Sequence, residues 1–136
     1  MILMKYINAE NQILGRLSSI VAKMILQGDQ VYVFNAGKAV IVGNPKAVIE
    51  EYKAKRARGD PYHGPFFPRE PDRIFKRTVR GMIPHRTPKG SEAFKRLKVF
   101  NTIPSEFSGQ EMTAVKGSEN KGEVKSMTLE KLSELI

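Results

Sequence analysis

The stretch VYVFNAGKAVIVGNP, residues 31–45, decides the fold class of this 136-residue chain. It holds two short apolar runs, 31–34 and 39–42, which are rich in β-branched residues. Continuous apolar runs of this length are typical of strands buried on both faces, which favours a parallel sheet. Asn44 and Pro45 then supply an N-cap and a proline at the first helical position, so we expect a helix to follow.

The sequence before this stretch adds one strand and one helix. Residues 3–7 indicate a short strand. The apolar residues between Leu14 and Ile25 have helical spacing, and Gly28 ends that helix. The order strand, helix, strand, strand, helix predicts an α/β domain with a mainly parallel sheet. No G-x-G-x-x-G or G-x-x-x-x-G-K-[ST] motif is present in the sequence, so this architecture brings no nucleotide site with it.

The sequence after residue 58 predicts a loop, two more helices and a strand. Residues 59–71 hold four prolines and two glycines, which indicate the loop. We expect a helix over 71–83, a short helix capped by Ser91 and a strand at 99–100. The chain therefore divides into a domain over 1–104 and a tail.

The tail, residues 105–136, is predicted to be irregular and to end in a short amphipathic helix. Thr128 provides the cap of that helix. Its apolar stripe consists of Leu129, Leu132, Leu135 and Ile136. Because so short a helix is marginal in water, the stripe needs an apolar surface to cover it. That surface is either this protein's own core or a neighbouring protein, and we favour the neighbour.

Charge is concentrated in the middle of the chain. The 23 Lys and Arg exceed the 14 Asp and Glu by nine. Residues 53–98 carry a net charge of +10, whereas residues 1–52 carry +1 and residues 99–136 carry −2. So clustered an excess favours a polyanionic partner, nucleic acid first and an anionic membrane surface second. The absence of cysteine excludes disulfides and thiolate chemistry, and no apolar run has the length of a membrane span.

The helix expected after Pro71 separates charge from apolar surface. Its four cations, Arg73, Lys76, Arg77 and Arg80, occupy about 100° of arc. Its apolar side chains, Ile74, Phe75, Val79 and Met82, lie on the opposite side. An ordinary solvated face mixes the signs of its charges, but here four like charges repel one another. A phosphate backbone would turn this repulsion into attraction, so the pattern predicts an anion-binding face.

The chemistry of an enzyme is missing from the sequence. The two histidines, His63 and His85, lie in Pro- and Gly-rich loops without partners at metal-ligand spacing. Adjacent Glu50 and Glu51 diverge by about 100° on their helix. We therefore expect no catalytic residue, metal, cofactor or small-molecule substrate.

The run RIFKRTVRGMIPHRTPKGSEAFKRLKVF, residues 73–100, resembles the signature of the universal large-subunit ribosomal protein thirteen (L13) family. Similar blocks are ILGRLSSIVAK at 13–23, Asn35-Ala36, and Gly-Pro-Phe at 64–66 beside REPDRIF at 69–75. The Pro-His pair after Gly-Met-Ile is similar to the archaeal and eukaryotic type. The resemblance covers residues 4–104, and it departs at Lys76, where we expect an aromatic residue in many relatives.

The resemblance implies a structural, rRNA-binding component of the large subunit in the cytoplasmic ribosome, which supports early assembly and has ribosomal proteins as neighbours. It implies a three-layer α/β/α core that is Rossmann-like, without a dinucleotide site. The family pattern implies RNA binding by Arg16, Lys38, Arg73, Arg77, Arg80, His85, Arg86, Lys89, Arg96 and Lys98. The basic block adds Lys53, Lys55, Arg56, Arg58, His63, Arg69 and Lys76.

Two other classes of function remain open from the sequence. The first is an RNA- or nucleotide-acting enzyme on a Rossmann-like fold, which would need a clustered set of acids or bases. The second is a free-standing nucleic-acid regulator, which would not stay with ribosomal subunits.

Overall fold

The computed structural model describes residues 4–59, 62, 68–115, 118–119 and 125–136. The strands are β1 (Met4–Asn8), β2 (Gln30–Phe34), β3 (Val40–Val42), β4 (Leu97–Val99) and β5 (Ser126–Thr128). The helices are α1 (Leu14–Leu26), α2 (Pro45–Ala57), α3 (Pro71–Arg80), α4 (Pro88–Lys95) and α5 (Leu129–Leu135). Two 3-10 helices cover Ala36–Lys38 and Ser105–Phe107.

The main sheet confirms the predicted α/β class. Its strand order is β1-β2-β4, and both pairings are parallel. One face carries Ile7, Val31 and Val33, which are buried in a single cluster with apolar residues of α1 and α3. The predicted arrangement in three layers remains a prediction.

The opposite face of the main sheet is aromatic. Tyr6 stacks on Tyr32 with ring centroids 5.3 Å apart, and Phe34 stacks on Phe100 at 5.4 Å. Phe107, from the second 3-10 helix, lies 5.1 Å from Phe34 and 5.6 Å from Tyr32. Such offset and tilted ring pairs add to the stabilisation from burial, so the segment after β4 covers this face of the sheet.

The prediction that residues 39–42 form a strand of the parallel sheet was wrong. β3 pairs antiparallel with β5 in a separate two-stranded sheet, with Ile41 opposite Met127. Ile41 and Val42 are only half-buried. A short apolar run has no periodicity of its own, so the sequence alone does not distinguish a buried parallel strand from this arrangement.

Three helix and strand boundaries also differ from expectation. α3 ends at Arg80 rather than at residue 83, because Gly81 begins a series of turns. α4 begins at Pro88, where the Thr87 hydroxyl accepts a hydrogen bond from the Gly90 amide, so the cap is Thr87 and not Ser91. The strand expected at 99–100 is β4, which begins at Leu97.

The described part of the tail is joined to the rest of the chain at several places. Thr113 bridges to Ile7 at the outer edge of β1. Ser118 is fully buried, and its hydroxyl donates a short hydrogen bond to the Gln12 side-chain oxygen. α5 packs on α3 and on the first 3-10 helix. The domain division at residue 104 remains a prediction.

The apolar stripe of α5 is covered mainly by this protein's own core. Leu129 and Leu132 are fully buried and belong to the main hydrophobic cluster. The preference for a neighbouring protein as the cover of this stripe was therefore wrong for these residues. Leu135 differs from them, because 43% of its surface is exposed.

Candidate nucleic-acid interface

α3 has the two faces that the sequence predicted. Pro71 occupies the first turn, and the Asp72 amide donates to the Asn101 side-chain oxygen at 2.8 Å, which satisfies one of the free donors at the helix start. Ile74, Phe75 and Val79 are fully buried, so they anchor the helix on the core. The cationic positions therefore face away from the core.

Met82 is an exception to that pattern. It was predicted to continue the apolar face, but it lies beyond the end of α3 and is 44% exposed. The buried residue of the following turn is Ile83.

The connection between α3 and α4, residues 81–87, is a compact series of turns. The Thr87 hydroxyl donates to the Pro84 carbonyl at 2.7 Å and accepts from the Gly90 amide at 3.2 Å. The Nδ1 of His85 lies 3.2 Å from the Arg80 carbonyl, and since a carbonyl only accepts, Nδ1 carries the proton. These bonds give the connection a defined shape at the end of α3.

Gly90 is required by the close approach of this connection to α4. A Cβ at position 90 would lie 1.8 Å from the Pro84 carbonyl oxygen and 2.9 Å from the His85 amide nitrogen. Both contacts are with backbone, so only glycine fits without displacing the turn. The sequence reasoning did not single out Thr87 or Gly90, although a Thr-Pro pair is a recognisable helix start.

We define the α3–α4 basic face as Arg73, Arg77, Arg80, Arg86 and Lys89. Arg73, Arg86 and Lys89 are exposed, and Arg77 and Arg80 are half-exposed. The Arg73 guanidinium lies 4.0 Å from the Glu70 carboxylate, but both side chains are mostly exposed, so this ion pair holds Arg73 only weakly. The face thus presents five cations from one helix, one turn and the start of the next helix.

Five further cations of the predicted set lie outside this face and are exposed. They are Arg16, Lys38, Lys53, Arg58 and Lys98. Lys98 lies between two buried residues of β4 and is on the outward face of that strand. No ion pair or side-chain hydrogen bond within the described part of the chain involves these five.

Three arginines of the predicted set bind backbone carbonyls. Arg56 donates a short hydrogen bond to the Ile136 carbonyl, and Arg69 Nε donates to the Ser133 carbonyl at 2.9 Å. Arg96 donates to the Ile25 carbonyl at 2.8 Å, in the last turn of α1. Carbonyls at a helix C-terminus carry partial negative charge and lack intrahelical partners, so a cation there is stabilising.

We call Arg56 and Arg69 the α5 clamp, because both hold the C-terminal end of that helix. Arg56 comes from α2 and Arg69 from the residues just before α3. Together they attach α5 to two other parts of the fold. Sequence alone gave no sign of this role, because the acceptors are 80 and 64 residues away along the chain.

Two lysines of the predicted set contact neighbouring side chains. Lys55 Nζ lies 3.4 Å from the Glu51 carboxylate and 4.6 Å from the centre of the Tyr52 ring. Burial raises the pKa of Tyr52, and the Glu51 charge adds to that increase. Lys76 Nζ lies 5.3 Å from the centre of the Phe94 ring, a cation–π contact that joins α3 to α4. His63 lies outside the described residues.

The carboxyl end of the parallel sheet, where open α/β folds usually bind ligands, is occupied by this chain. Asn8 at the end of β1 and Asn35 after β2 hydrogen-bond each other through their side chains at 3.0 Å. The first 3-10 helix follows Asn35, and α5 packs on it. A Cβ at Gly37 would be 3.6 Å from the Glu130 Cβ, which shows how closely α5 approaches.

Within the described ranges no group of three His, Cys, Asp or Glu residues is arranged to hold a metal ion. The same residues contain no helix with the length and apolar character needed to cross a bilayer. Fold and surface together define a basic α/β protein. Five of its cations are clustered on α3, the turn that follows it and the start of α4.

Comparison with known proteins identifies the family. The family model of Ribosomal protein L13 matches residues 3–106. The chain therefore belongs to the ribosomal protein L13 family. A family of ribosomal proteins comprises structural constituents of the cytoplasmic ribosome, so this chain is not an enzyme.

Archaeal relatives agree with the predicted archaeal or eukaryotic type. Large ribosomal subunit protein uL13 of Archaeoglobus fulgidus is 50% identical over 109 residues, which cover 80% of this chain and 70% of that protein. The protein of the same name from Methanococcoides burtonii is 48% identical, covering 85% and 84%. That of Methanosphaera stadtmanae is 42% identical over 134 residues, covering 96% and 94%. This last match includes the tail.

Proposed function

We propose that this chain is a structural constituent of the large ribosomal subunit, which binds large-subunit rRNA through the α3–α4 basic face and supports subunit assembly. The names of the archaeal relatives support the choice of the large subunit. The single observation that carries the RNA-binding proposal is the division of α3 into a fully buried apolar face and an outward cationic face.

The chemistry of the α3–α4 basic face suits a phosphate backbone. A guanidinium binds two phosphate oxygens at once, and four of the five cations in the face are arginines. The turn between α3 and α4 is fixed by its own hydrogen bonds, so Arg86 and Lys89 are presented at little additional entropic cost. A fixed shape suits RNA, which proteins recognise largely by the form of its backbone and grooves.

The remaining cations of the predicted set divide between two roles in this proposal. Arg16, Lys38, Lys53, Arg58 and Lys98 make further phosphate contacts. Arg56, Arg69, Arg96, Lys55 and Lys76 act mainly within the protein, by holding the elements that present the others. His85 fixes the turn through its contact with the Arg80 carbonyl.

Salt dependence tests the electrostatic basis of the proposal. With roughly 6–10 phosphate contacts, a log–log plot of the affinity for a large-subunit rRNA fragment against salt should have a slope of about −4 to −9. Filter binding or fluorescence anisotropy between 50 and 300 mM salt measures it, with ~ten points across the range. A slope shallower than about −2 would show that the basic face is not the main contact surface.

Cosedimentation separates this proposal from a free-standing nucleic-acid regulator. A structural constituent with rRNA and neighbouring ribosomal proteins as partners stays with large subunits through a moderate-salt wash. A regulator that binds nucleic acid elsewhere would be found in the soluble fraction, and that result would overturn the assignment to the subunit.

A further inference from the structure

A groove of about 440 Å³ lies on the side of the molecule formed by α2, the β3–β5 sheet and α5. Its apolar lining consists of Val40, Pro45, Ile49, Met127 and Leu135, and its polar lining of Ser126, Thr128 and Lys131. A volume of this size is in the range that proteins use to bind compact ligands or anchoring side chains.

The walls of the groove are fixed before any partner binds. The α5 clamp attaches one wall through the Ser133 and Ile136 carbonyls. The register of Ile41 opposite Met127 fixes the floor, and the Thr128 hydroxyl caps the start of α5. A preformed groove loses little conformational entropy when it is filled, which favours binding.

Leu135 is the exposed apolar residue of the groove. The other leucines of α5 are fully buried, but Leu135 lies at the edge of the groove and is 43% exposed. The apolar stripe of α5 was expected to lie on a single surface, but its leucines contact two. Leu129 and Leu132 pack on the core, whereas Leu135 faces the groove. An apolar side chain of a partner would cover it.

The charged residue among the eight that line the groove is a lysine, and Glu134 lies one turn after it on α5. Lys131 lines it directly, and Lys46 lies one turn before Ile49 on α2, on the same side of that helix. Both lysines are exposed. The Glu130 carboxylate instead lies 3.9 Å from the position of a Cβ at Gly37, on the side of α5 away from the groove. The groove thus combines an apolar lining with one lysine in that lining and a second lysine nearby.

We propose that this groove binds a segment of a neighbouring large-subunit protein, an apolar side chain flanked by Asp or Glu residues. The apolar side chain covers Leu135 and Ile49, and the carboxylates pair with Lys131 and Lys46. RNA fits less well, because protein–RNA contact surfaces are strongly polar, whereas five of the eight lining residues here are apolar. The partner belongs to the assembled subunit, so the inference rests on the proposed function.

A site-specific cross-link tests the partner's chemistry. The full chain with p-benzoylphenylalanine at position 135 is assembled into large subunits, irradiated and digested, and the cross-linked product is identified. We expect a peptide of another ribosomal protein with an apolar residue and Asp or Glu within about one helical turn of the cross-linked residue. Cross-linking to rRNA, or no cross-link in subunits that contain the protein, would overturn the inference.

A matched pair of variants measures the effect on binding. Leu135→Glu is compared with Ile103→Glu, since the exposures of the two residues are 43% and 42%. We expect Leu135→Glu to release the protein from washed subunits at least threefold more readily, while both variants bind the naked rRNA fragment as the unaltered chain does. Equal release would overturn the inference. Failure of the unaltered chain to bind naked rRNA or to enter subunits would instead contradict the proposed function.

Discussion

The α3–α4 basic face and the α5 clamp both contain arginines, which point outward in the first and bind the protein's own carbonyls in the second. Arg80 is half-exposed and Arg86 is exposed, and neither side chain forms an ion pair or a hydrogen bond with the residues that the structure describes. Arg56 and Arg69 lie opposite the last carbonyls of α5 and bind them. The comparison teaches that clustering of positive charge in the sequence does not separate cations that point outward from cations that hold the fold together. The position of each cation relative to the protein's own carbonyl and carboxylate oxygens separates the two groups.

Removal of the C-terminal region should have the largest effect. A chain that ends after Pro104 loses β5 and α5, and with them the buried side chains of Met127, Leu129, Leu132 and Ile136. Burial of these four side chains contributes roughly 6–12 kcal/mol, which is comparable with the whole stability of a typical domain. We therefore expect the truncated chain not to fold, in contrast to the domain over 1–104 that the sequence predicted.

Circular dichroism and thermal unfolding of both chains measure this effect. The control is a full-length chain with Ile103→Ala, an exposed position just before the cut. A cooperative transition in the truncated chain within about 5 °C of that of the full chain would show that α5 is dispensable, and the comparison of the two regions would lose its structural basis.

Gly90→Ala tests the other region, by disturbing the turn that positions Arg86 and Lys89. Because the new Cβ would overlap the Pro84 carbonyl, we expect a destabilisation of about 2–3 kcal/mol and a loss of rRNA affinity. Chemical denaturation and anisotropy measure the two effects. Gly15→Ala in α1, where no atom lies within 4 Å of the new Cβ, is the control and should be neutral or slightly stabilising. Equal behaviour of the two variants would contradict the fixed shape of the turn.

The smallest expected effect concerns Tyr52, which is buried and lies on α2, one turn before Arg56. Because burial raises its pKa in the folded chain, the folded state holds the phenol proton more tightly than the unfolded state. Its contribution to stability is therefore complete below about pH 10 and is lost as the pH rises through the folded-state pKa.

The free energy of unfolding as a function of pH checks this sign. Between pH 9 and 11, roughly, stability should fall more steeply in the unaltered chain than in Tyr52→Phe, which has no phenol to ionise. Identical profiles would show that the phenol is as hydrated in the folded chain as in the unfolded one. Tyr52 would then be more exposed to solvent than the structure indicates.

The local patterns of the sequence predicted much of the fold and the two faces of α3. The periodicity of Ile74, Phe75 and Val79 identified the buried face of α3 correctly, because a helix face is a property of neighbouring residues. The Asn44–Pro45 start of α2 was also correct. The pairing of strands that are distant along the chain could not be predicted from such local patterns. The example is β3, whose partner β5 is more than 80 residues away.

Two sets of contacts that the sequence did not reveal have the same physical origin. Leu129 and Leu132 were matched to a neighbouring protein because nothing nearby in sequence indicates what covers them. The carbonyls that Arg56 and Arg69 bind are also remote in sequence, so nothing in the sequence indicated these hydrogen bonds, and RNA binding by the two arginines stays a prediction. Composition and periodicity therefore predict which apolar or charged side chains a segment has on one face. The structure is needed to show what those side chains contact.

The division of the cations is tested most directly by two double variants that remove the same charge. One is Arg80→Gln with Arg86→Gln, on the α3–α4 basic face, and the other is Arg56→Gln with Arg69→Gln, in the α5 clamp. Affinity for one large-subunit rRNA fragment at fixed salt and the free energy of unfolding are measured for both. The first pair should lose about 100-fold in affinity with unchanged stability, at roughly 1.5 kcal/mol for each charged contact. The second should lose about 1–3 kcal/mol of stability and less than about fivefold in affinity. Equal losses of affinity in the two pairs would contradict the account.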